Sequence, residues 1–383
     1  MRIPPFGVER WFVQYEFKVS HNIAESCIQP FTIRELCELC GSDPAEFLDT
    51  RVGYADGLGG IELREAIAAL YPDTGPDNVL VTTGAIEANF LVAQALLRPG
   101  DRAVVEFPAY QQLYSVPAST GAEVRLWELH EDRGYRPDFD WLESLAPKGE
   151  KLRLLTVNHP HNPSGAGLDA DGMSRLVAMT EARGAYLHSD EVYRGLTLDQ
   201  GTVPTPSARE FSDRAIVVGS MSKAWGLSGA RIGWIAGPAD VVRRCGEIRD
   251  YVSICPSACG ERLALMALRN GGPVMDRNRR LARRNFALLR GFLERNSDIL
   301  ACPLPAEGVV AFPSYAVAAS PGRLLASRAL CGRLADQHGV LLVPGECFER
   351  EYHFRIGFGY ETRILEEGLE SLERFLRCLL SGQ

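Results

Sequence analysis

Ser220-Met221-Ser222-Lys223-Ala224-Trp225-Gly226, with Arg231 eight positions beyond the lysine, sets one primary amine among small hydroxyl and glycine residues. A lysine titrates near ~10.4 in water, so imine chemistry near neutrality requires desolvation or a neighbouring positive charge that lowers its pKa. The preceding run Ala215-Ile216-Val217-Val218-Gly219 reads as a buried strand that delivers Lys223 to a loop. Ser220, Ser222 and Arg231 together offer the hydroxyls and the guanidinium fork that hold a phosphate dianion. Taken alone, the same residues also describe a solvated lysine in a Gly/Ser loop.

Other residues join that lysine in a consistent order. Asp190 follows the apolar strand Gly184-Ala185-Tyr186-Leu187-His188, and Tyr193 stands three residues on. The carboxyl ends of parallel strands are where open α/β sheets bind ligands, which places the Asp190 carboxylate to meet one; an aspartate capping the next segment is the plainer alternative. In Asn158-His159-Pro160-His161-Asn162-Pro163-Ser164-Gly165 the prolines and glycine impose a rigid turn that presents the Asn162 amide. Thr82-Thr83-Gly84-Ala85-Ile86 is a strand, then a glycine turn opening a helix, where free N–H groups and the helix dipole favour an anion. Arg355 lies on a late apolar strand, a costly place for a guanidinium unless it binds a carboxylate, whether a substrate's or one within the chain.

This ordered set resembles the class I and II aminotransferases, pyridoxal 5'-phosphate (PLP) enzymes of fold type I, over nearly the whole chain from Tyr54 to Arg355. The resemblance implies a Schiff base on Lys223, Asp190 against the pyridine nitrogen, and Tyr193 and Asn162 at the ring's phenolic oxygen. It implies a phosphate held by the amides of Gly84, Ala85 and Ile86 with Ser220, Ser222 and Arg231, and Tyr110 stacked on the ring. Tyr54 is implied to reach the partner's phosphate across a homodimer interface, and Arg355 to hold the substrate α-carboxylate. Two positions depart from the pattern: the turn at Gly84 lacks the hydroxyl residue often found there, and Ser164 stands where threonine is common. The implied activity is amino-group transfer between an L-amino acid and a 2-oxo acid.

Lys223 would also act as the base that moves a proton to or from the substrate α-carbon, but these residues do not separate transfer from side-chain elimination, cyclisation or oxidation. Tyr15-Glu16-Phe17 and Asn22-Ile23-Ala24-Glu25-Ser26 resemble, more faintly, the arms of capreomycidine synthase-like enzymes that modify arginine. On that alternative Glu16 and Glu25 meet a cationic side chain; otherwise they are solvated acids of an arm. Transcription regulators with an aminotransferase-like domain form a third class. They need a basic DNA-binding module that the segment before Tyr54 does not resemble.

The elements that position these residues alternate. Strands at 78–82, 102–105, 123–127, 152–157, 185–188, 215–218 and 233–236 interleave with helices at 63–70, 86–97, 111–119 and 171–182, which predicts an α/β fold with a mainly parallel sheet, seven-stranded in the resembling family. A long charged helix at 273–295 precedes strands at 308–317 and 352–357 and helices at 324–338 and 361–380, a smaller α+β unit. The organisation expected is an irregular arm and part of a small domain at 1–48, a large PLP-binding domain at 49–272, and an interdomain helix with the small domain at 273–383. With 46% apolar residues and a net charge of −8 spread without a basic stripe, the 383-residue chain suits small-molecule substrates rather than nucleic acid or a membrane. Ten scattered cysteines and no apolar leader favour a reduced, cytoplasmic setting. No metal site is expected: Cys37 and Cys40 lie within one amphipathic helix, without a second ligand pair.

Overall fold

Period-two alternation along the strands feeds two apolar cores from one sheet. The computed structural model describes residues 2–147, 149–315 and 324–381. In chain order its strands are β1 (His21–Asn22), β2 (Val79–Thr82), β3 (Arg102–Phe107), β4 (Glu123–Glu128), β5 (Leu154–Asn158), β6 (Tyr186–Asp190), β7 (Ile216–Ser220) and β8 (Gly233–Ala236). There follow β9 (Val310–Ala311), β10 (Val340–Leu341), β11 (Val343–Pro344) and β12 (Phe354–Gly357).

Seven strands form one sheet in the order β2-β8-β7-β6-β5-β3-β4. The pairs β3–β4, β3–β5, β5–β6 and β6–β7 are parallel, while β8 runs antiparallel to both β2 and β7. Val79, Val81, Leu155, Val217 and Trp234 face one core, which also receives Leu63, Ile67, Met173 and Leu176 from the helices Ile61–Ala68 and Ala170–Ala182. Their neighbours Leu80, Leu154, Ile216, Val218 and Ile235 face the other, closed by the helices Ala85–Leu96 and Ala239–Arg249. The fold is therefore the α/β arrangement that the alternation predicts.

A third core gathers the C-terminal elements. The antiparallel sheet β11-β12-β9 and the parallel pair β1–β10 pack with the helices Ser327–His338 and Thr362–Ser381. The long helix Gly271–Arg295 contributes to it a buried stripe that includes Met275, Ala282, Phe286, Leu289, Phe292 and Leu293. Two amides on that helix reach outward: Asn278 Nδ2 donates to Ala224 O at 2.8 Å, beside Lys223, and Asn285 Nδ2 donates to Phe358 O and Tyr360 O, just beyond β12.

Three expectations are corrected. The start of the chain is not irregular, because Gly7–Tyr15 is a helix whose Val8, Trp11 and Tyr15 enter the third core, with Trp11 Nε1 donating to Leu342 O at 2.8 Å. The strand expected at 308–317 reduces to β9, since Pro313 has no N–H with which to extend the ladder, and residues 316–317 lie outside the described residues. The last strand starts at Phe354 rather than Tyr352, whose φ of 62° lies in the left-handed region. Among the described residues no helix is long and apolar enough to cross a membrane.

Candidate active site

Parallel strands with short exits all deliver their carboxyl ends to one edge. Thr82 ends β2, Phe107 ends β3, Asn158 ends β5, Asp190 ends β6 and Ser220 ends β7; β8, running the other way, begins there at Gly233, two residues after Arg231. A cavity of about 470 Å³ opens at this edge, lined by Ala85, Ile86, Tyr110, Asn162, Asp190, Tyr193, Ser220, Ser222, Lys223 and Arg231 among others. Residues separated by nearly 150 positions thus meet in one place. A larger cleft of about 700 Å³, lined in part by Ala166, Arg175 and Glu307, contains none of the residues predicted for chemistry.

At one end the side chains suit an anion. The N–H groups of Ala85 and Ile86 open the Ala85–Leu96 helix and so have no intrahelical acceptor. Gly84 has φ 79°, and a Cβ there would stand 2.6 Å from Arg231 Nη2, so the cradle admits only glycine. Arg231 itself adopts φ 53°, with Nη1 donating to Ser228 O at 2.9 Å and to Ser222 Oγ at 3.4 Å. Ser220 Oγ accepts from Ser222 N at 3.0 Å, closing the loop beneath. Ser228 also lines this end and adds a hydroxyl where the Gly84 turn has none.

At the centre, Lys223 Nζ donates to Ser26 Oγ at 2.7 Å and lies 3.5 Å from Cys27 Sγ. Its pKa does not fall as the sequence suggested. Burial lowers it, but the negative charge that Cys27 and Tyr193 carry when ionised outweighs burial, and the net shift is upward. Tyr193 is buried, and its Oη has no hydrogen-bond partner within the described chain. Asp190 is pushed up to about 6, burial being the main cause, against the opposing donations of Asn89 Nδ2 and Val192 N.

Arg355 is 1% exposed on β12 and makes no ion pair among the described residues. Nη1 donates to Asn162 Oδ1 at 3.1 Å, Nη2 donates to Ala24 O at 3.0 Å, and Nε has no partner. This removes the internal ion pair as an account of the residue. The contact also orients the Asn162 amide, since Oδ1 faces the guanidinium and the Nδ2 donor is turned the other way. Asn158 ties the same turn to β6, accepting from Asn162 N at 3.0 Å and donating to Asp190 O at 2.9 Å.

Five predicted residues do not line the cavity: Gly84 and Arg355 stand directly behind the lining residues Arg231 and Asn162, and Tyr54, Glu16 and Glu25 lie apart from it. Tyr54 is 88% exposed on the surface of the single chain. Glu16 and Glu25 stand together in the arm beside Ser26; burial, then the negative charges of Glu25 and Glu9, push Glu16 up to about 7. Glu9, which the sequence reading passed over, does line the cavity and accepts from Tyr110 Oη at 2.6 Å, while Phe6 packs on the Tyr110 ring at 4.7 Å. Ser26, Cys27, Asn89 and Ser228 were also missed. The spacing of Val8, Trp11 and Tyr15 was the available signal for the arm helix that brings Phe6 and Glu9 in.

A sequence profile described as Aminotransferase class I and II matches residues 41–372. The chain belongs to the class I and II aminotransferase family. It is 35% identical to capreomycidine synthase of Streptomyces vinaceus over 100% of this chain and 96% of that one. Among solved structures it is similar to a PLP-dependent aminotransferase from Streptococcus suis, with 35% identity, a TM-score of 0.92 and 98% of each chain covered. It is also similar to the PLP-dependent cyclase OrfR, with 30% identity, a TM-score of 0.88 and 98% of each chain covered. The protein is an enzyme of this family and uses PLP. Its residues fit that cofactor: an arginine and open helix amides at a glycine cradle, a buried carboxylate, an unpartnered buried phenol and a lysine lie around one cavity.

Proposed function

We propose that the protein is an aminotransferase that moves an amino group between an L-amino acid and a 2-oxo acid. The buried Arg355 guanidinium carries this reading, because its charge has only neutral acceptors within the described chain and is completed by a substrate α-carboxylate. When bound, PLP supplies the electron sink that makes loss of a proton from the substrate α-carbon feasible. Lys223 would hold the cofactor covalently and, once released, take and return that proton. Asp190 would face the pyridine nitrogen, Tyr193 and Asn162 the phenolic oxygen, Tyr110 the ring, and Gly84, Ala85, Ile86, Ser220, Ser222 and Arg231 the phosphate. Arg355 and Asn162 would fix the substrate so that the bond to be broken lies near Lys223. The test is a half-reaction: holoenzyme with a single amino acid should release one equivalent of 2-oxo acid and accumulate the amine form of the cofactor. Catalytic product release with an unchanged cofactor spectrum rejects transamination.

A second reading, a cyclase, lyase or oxidase acting on the side chain of an arginine-derived amino acid, as in secondary metabolism, has its own support. Glu9, Glu16 and Glu25 converge from the arm with no ion pair among the described residues, and they offer negative charge to a cationic side chain. The half-reaction run with arginine and its hydroxylated forms separates the two readings.

The same proposal extends to a homodimer with shared sites. Tyr54 sits in an exposed apolar stretch with Val52, Leu58 and Ile61, and Gly57 of that stretch lies against Ile254 beside exposed Tyr251 and Val252. A small-molecule role in a cytoplasmic setting, without nucleic acid, is consistent with the unbridged buried Cys27, Cys37, Cys245, Cys331 and Cys347. The core of C-terminal elements supports a division near residue 272, with the arm helix Gly7–Tyr15 joining the C-terminal unit, whereas Leu36 of the helix Ile33–Cys40 packs in a core of the large sheet, against a boundary near residue 48.

A further inference from the structure

Asn89 is a polar residue on the buried side of the otherwise apolar stretch Phe90-Leu91-Val92, a costly placement unless both ends of its amide are satisfied. Both are. Nδ2 donates to Asp190 Oδ2 at 2.8 Å, and Oδ1 faces His188 Nε2 at 3.0 Å, while His188 Nδ1 faces Thr156 Oγ1 at 3.3 Å. Register explains the convergence: His188 and Asp190 are two apart on β6 and share a face, and Thr156 is the Cα partner of His188 on β5. All four residues are buried.

The chemistry of these groups allows one direction only. An ionised carboxylate accepts and never donates, so the amide must present its NH₂ to Asp190 and its oxygen to His188. That oxygen needs a donor, which makes His188 the tautomer protonated on Nε2. Burial alone brings His188 down to about 4, so the ring is neutral and its Nδ1 accepts from the Thr156 hydroxyl. The result is a four-residue chain, Thr156 to His188 to Asn89 to Asp190, with every donor pointing toward the carboxylate.

We propose that Asn89, oriented by His188, is a positioning residue for Asp190 that keeps the carboxylate ionised and in one orientation for the ring nitrogen of PLP. The inference rests on the reading of Asp190 as that nitrogen's partner. The rest of the carboxylate's surroundings, Val192 N and the charge of Lys223, is unchanged when Asn89 is replaced, so the effect of the amide can be isolated.

The probe is a pair of ligands, PLP and its deaza analogue with carbon in place of the ring nitrogen, titrated into apoenzyme. Wild type should prefer PLP; equal affinities would remove Asp190 from its assigned role and this inference with it. Given that preference, Asn89→Leu should weaken PLP by about ten- to a hundredfold and the analogue by less than about threefold, a loss the size of one charge-assisted hydrogen bond. Equal losses for both ligands, or none, would make Asn89 merely structural and leave Asp190 untouched. His188→Gln, whose amide can replace the Nε2 donor, should stay within about threefold of wild type, whereas His188→Leu should show a selective loss of PLP. A measurement without substitutions guards against misfolded variants: nitrogen-15 NMR of the holoenzyme should find His188 protonated on Nε2, and protonation on Nδ1 would overturn the chain.

Discussion

A buried guanidinium without a carboxylate is the residue-level feature with the sharpest consequence. Arg355→Lys keeps a positive charge but gives up the planar fork, so KM for the amino donor should rise on the order of ten- to a hundredfold while PLP stays bound; steady-state kinetics on the reconstituted variant decide it. Lys223→Ala should bind PLP without fixing it: borohydride should leave no label on the peptide containing position 223, and turnover should fall on the order of a thousandfold. Glu16 gives a pH test. Its folded pKa of about 7 lies above the usual carboxylate value, so its ionisation opposes folding. Any stabilisation from the protonated form is complete below the ordinary value of 4.5 and is lost as pH rises through about 7. Glu16→Gln should therefore melt higher than wild type at pH 8, with the difference vanishing near pH 4. Residues whose type is tied to a turn or a strand end, Lys223, Asn162, Asp190 and Arg355, were legible because their local sequence is constrained. Asn89 and His188 were not, since a single polar residue inside an apolar run carries no periodic signal and acquires its meaning only from neighbours about a hundred positions away.

At the scale of elements, the alternation of short apolar runs with helical segments located every strand of the central sheet, because β2, β5, β7 and β8 are buried on both faces, while the edge strand β4 is only partly covered. The arm was misread for the opposite reason: Pro4 and Pro5 suggest an irregular chain, and Gly7–Tyr15 is short, so its helical spacing of three buried residues is easily missed. The packing of that helix makes it more than an appendage. Trp11 is almost fully buried and anchored to Leu342 O, so Trp11→Ala should cost about 3 to 5 kcal/mol in denaturant unfolding. Loss of Trp11 should also loosen Phe6 and Glu9 from Tyr110, which faster proteolysis within the first twenty residues would report.

At the scale of the molecule, the exposed aromatic and aliphatic side chains of the stretches around Tyr54 and Tyr251 suit the interface of the proposed dimer. The proposed dimer would cover Tyr251, which is 94% exposed in the single chain. Tyr251→Asp should then shift sedimentation toward monomer and weaken PLP retention together; a monomeric wild type would end the shared-site proposal.

The long helix Gly271–Arg295 touches the lysine loop through Asn278 and the end of β12 through Asn285, and it lends side chains to the core between them. A helix pinned to both regions at two points about two turns apart ties their melting together. Differential scanning calorimetry should accordingly record a single endotherm for the full chain, with heat capacity and van't Hoff enthalpies in agreement, and replacing both asparagines by leucine should be the change that splits it in two.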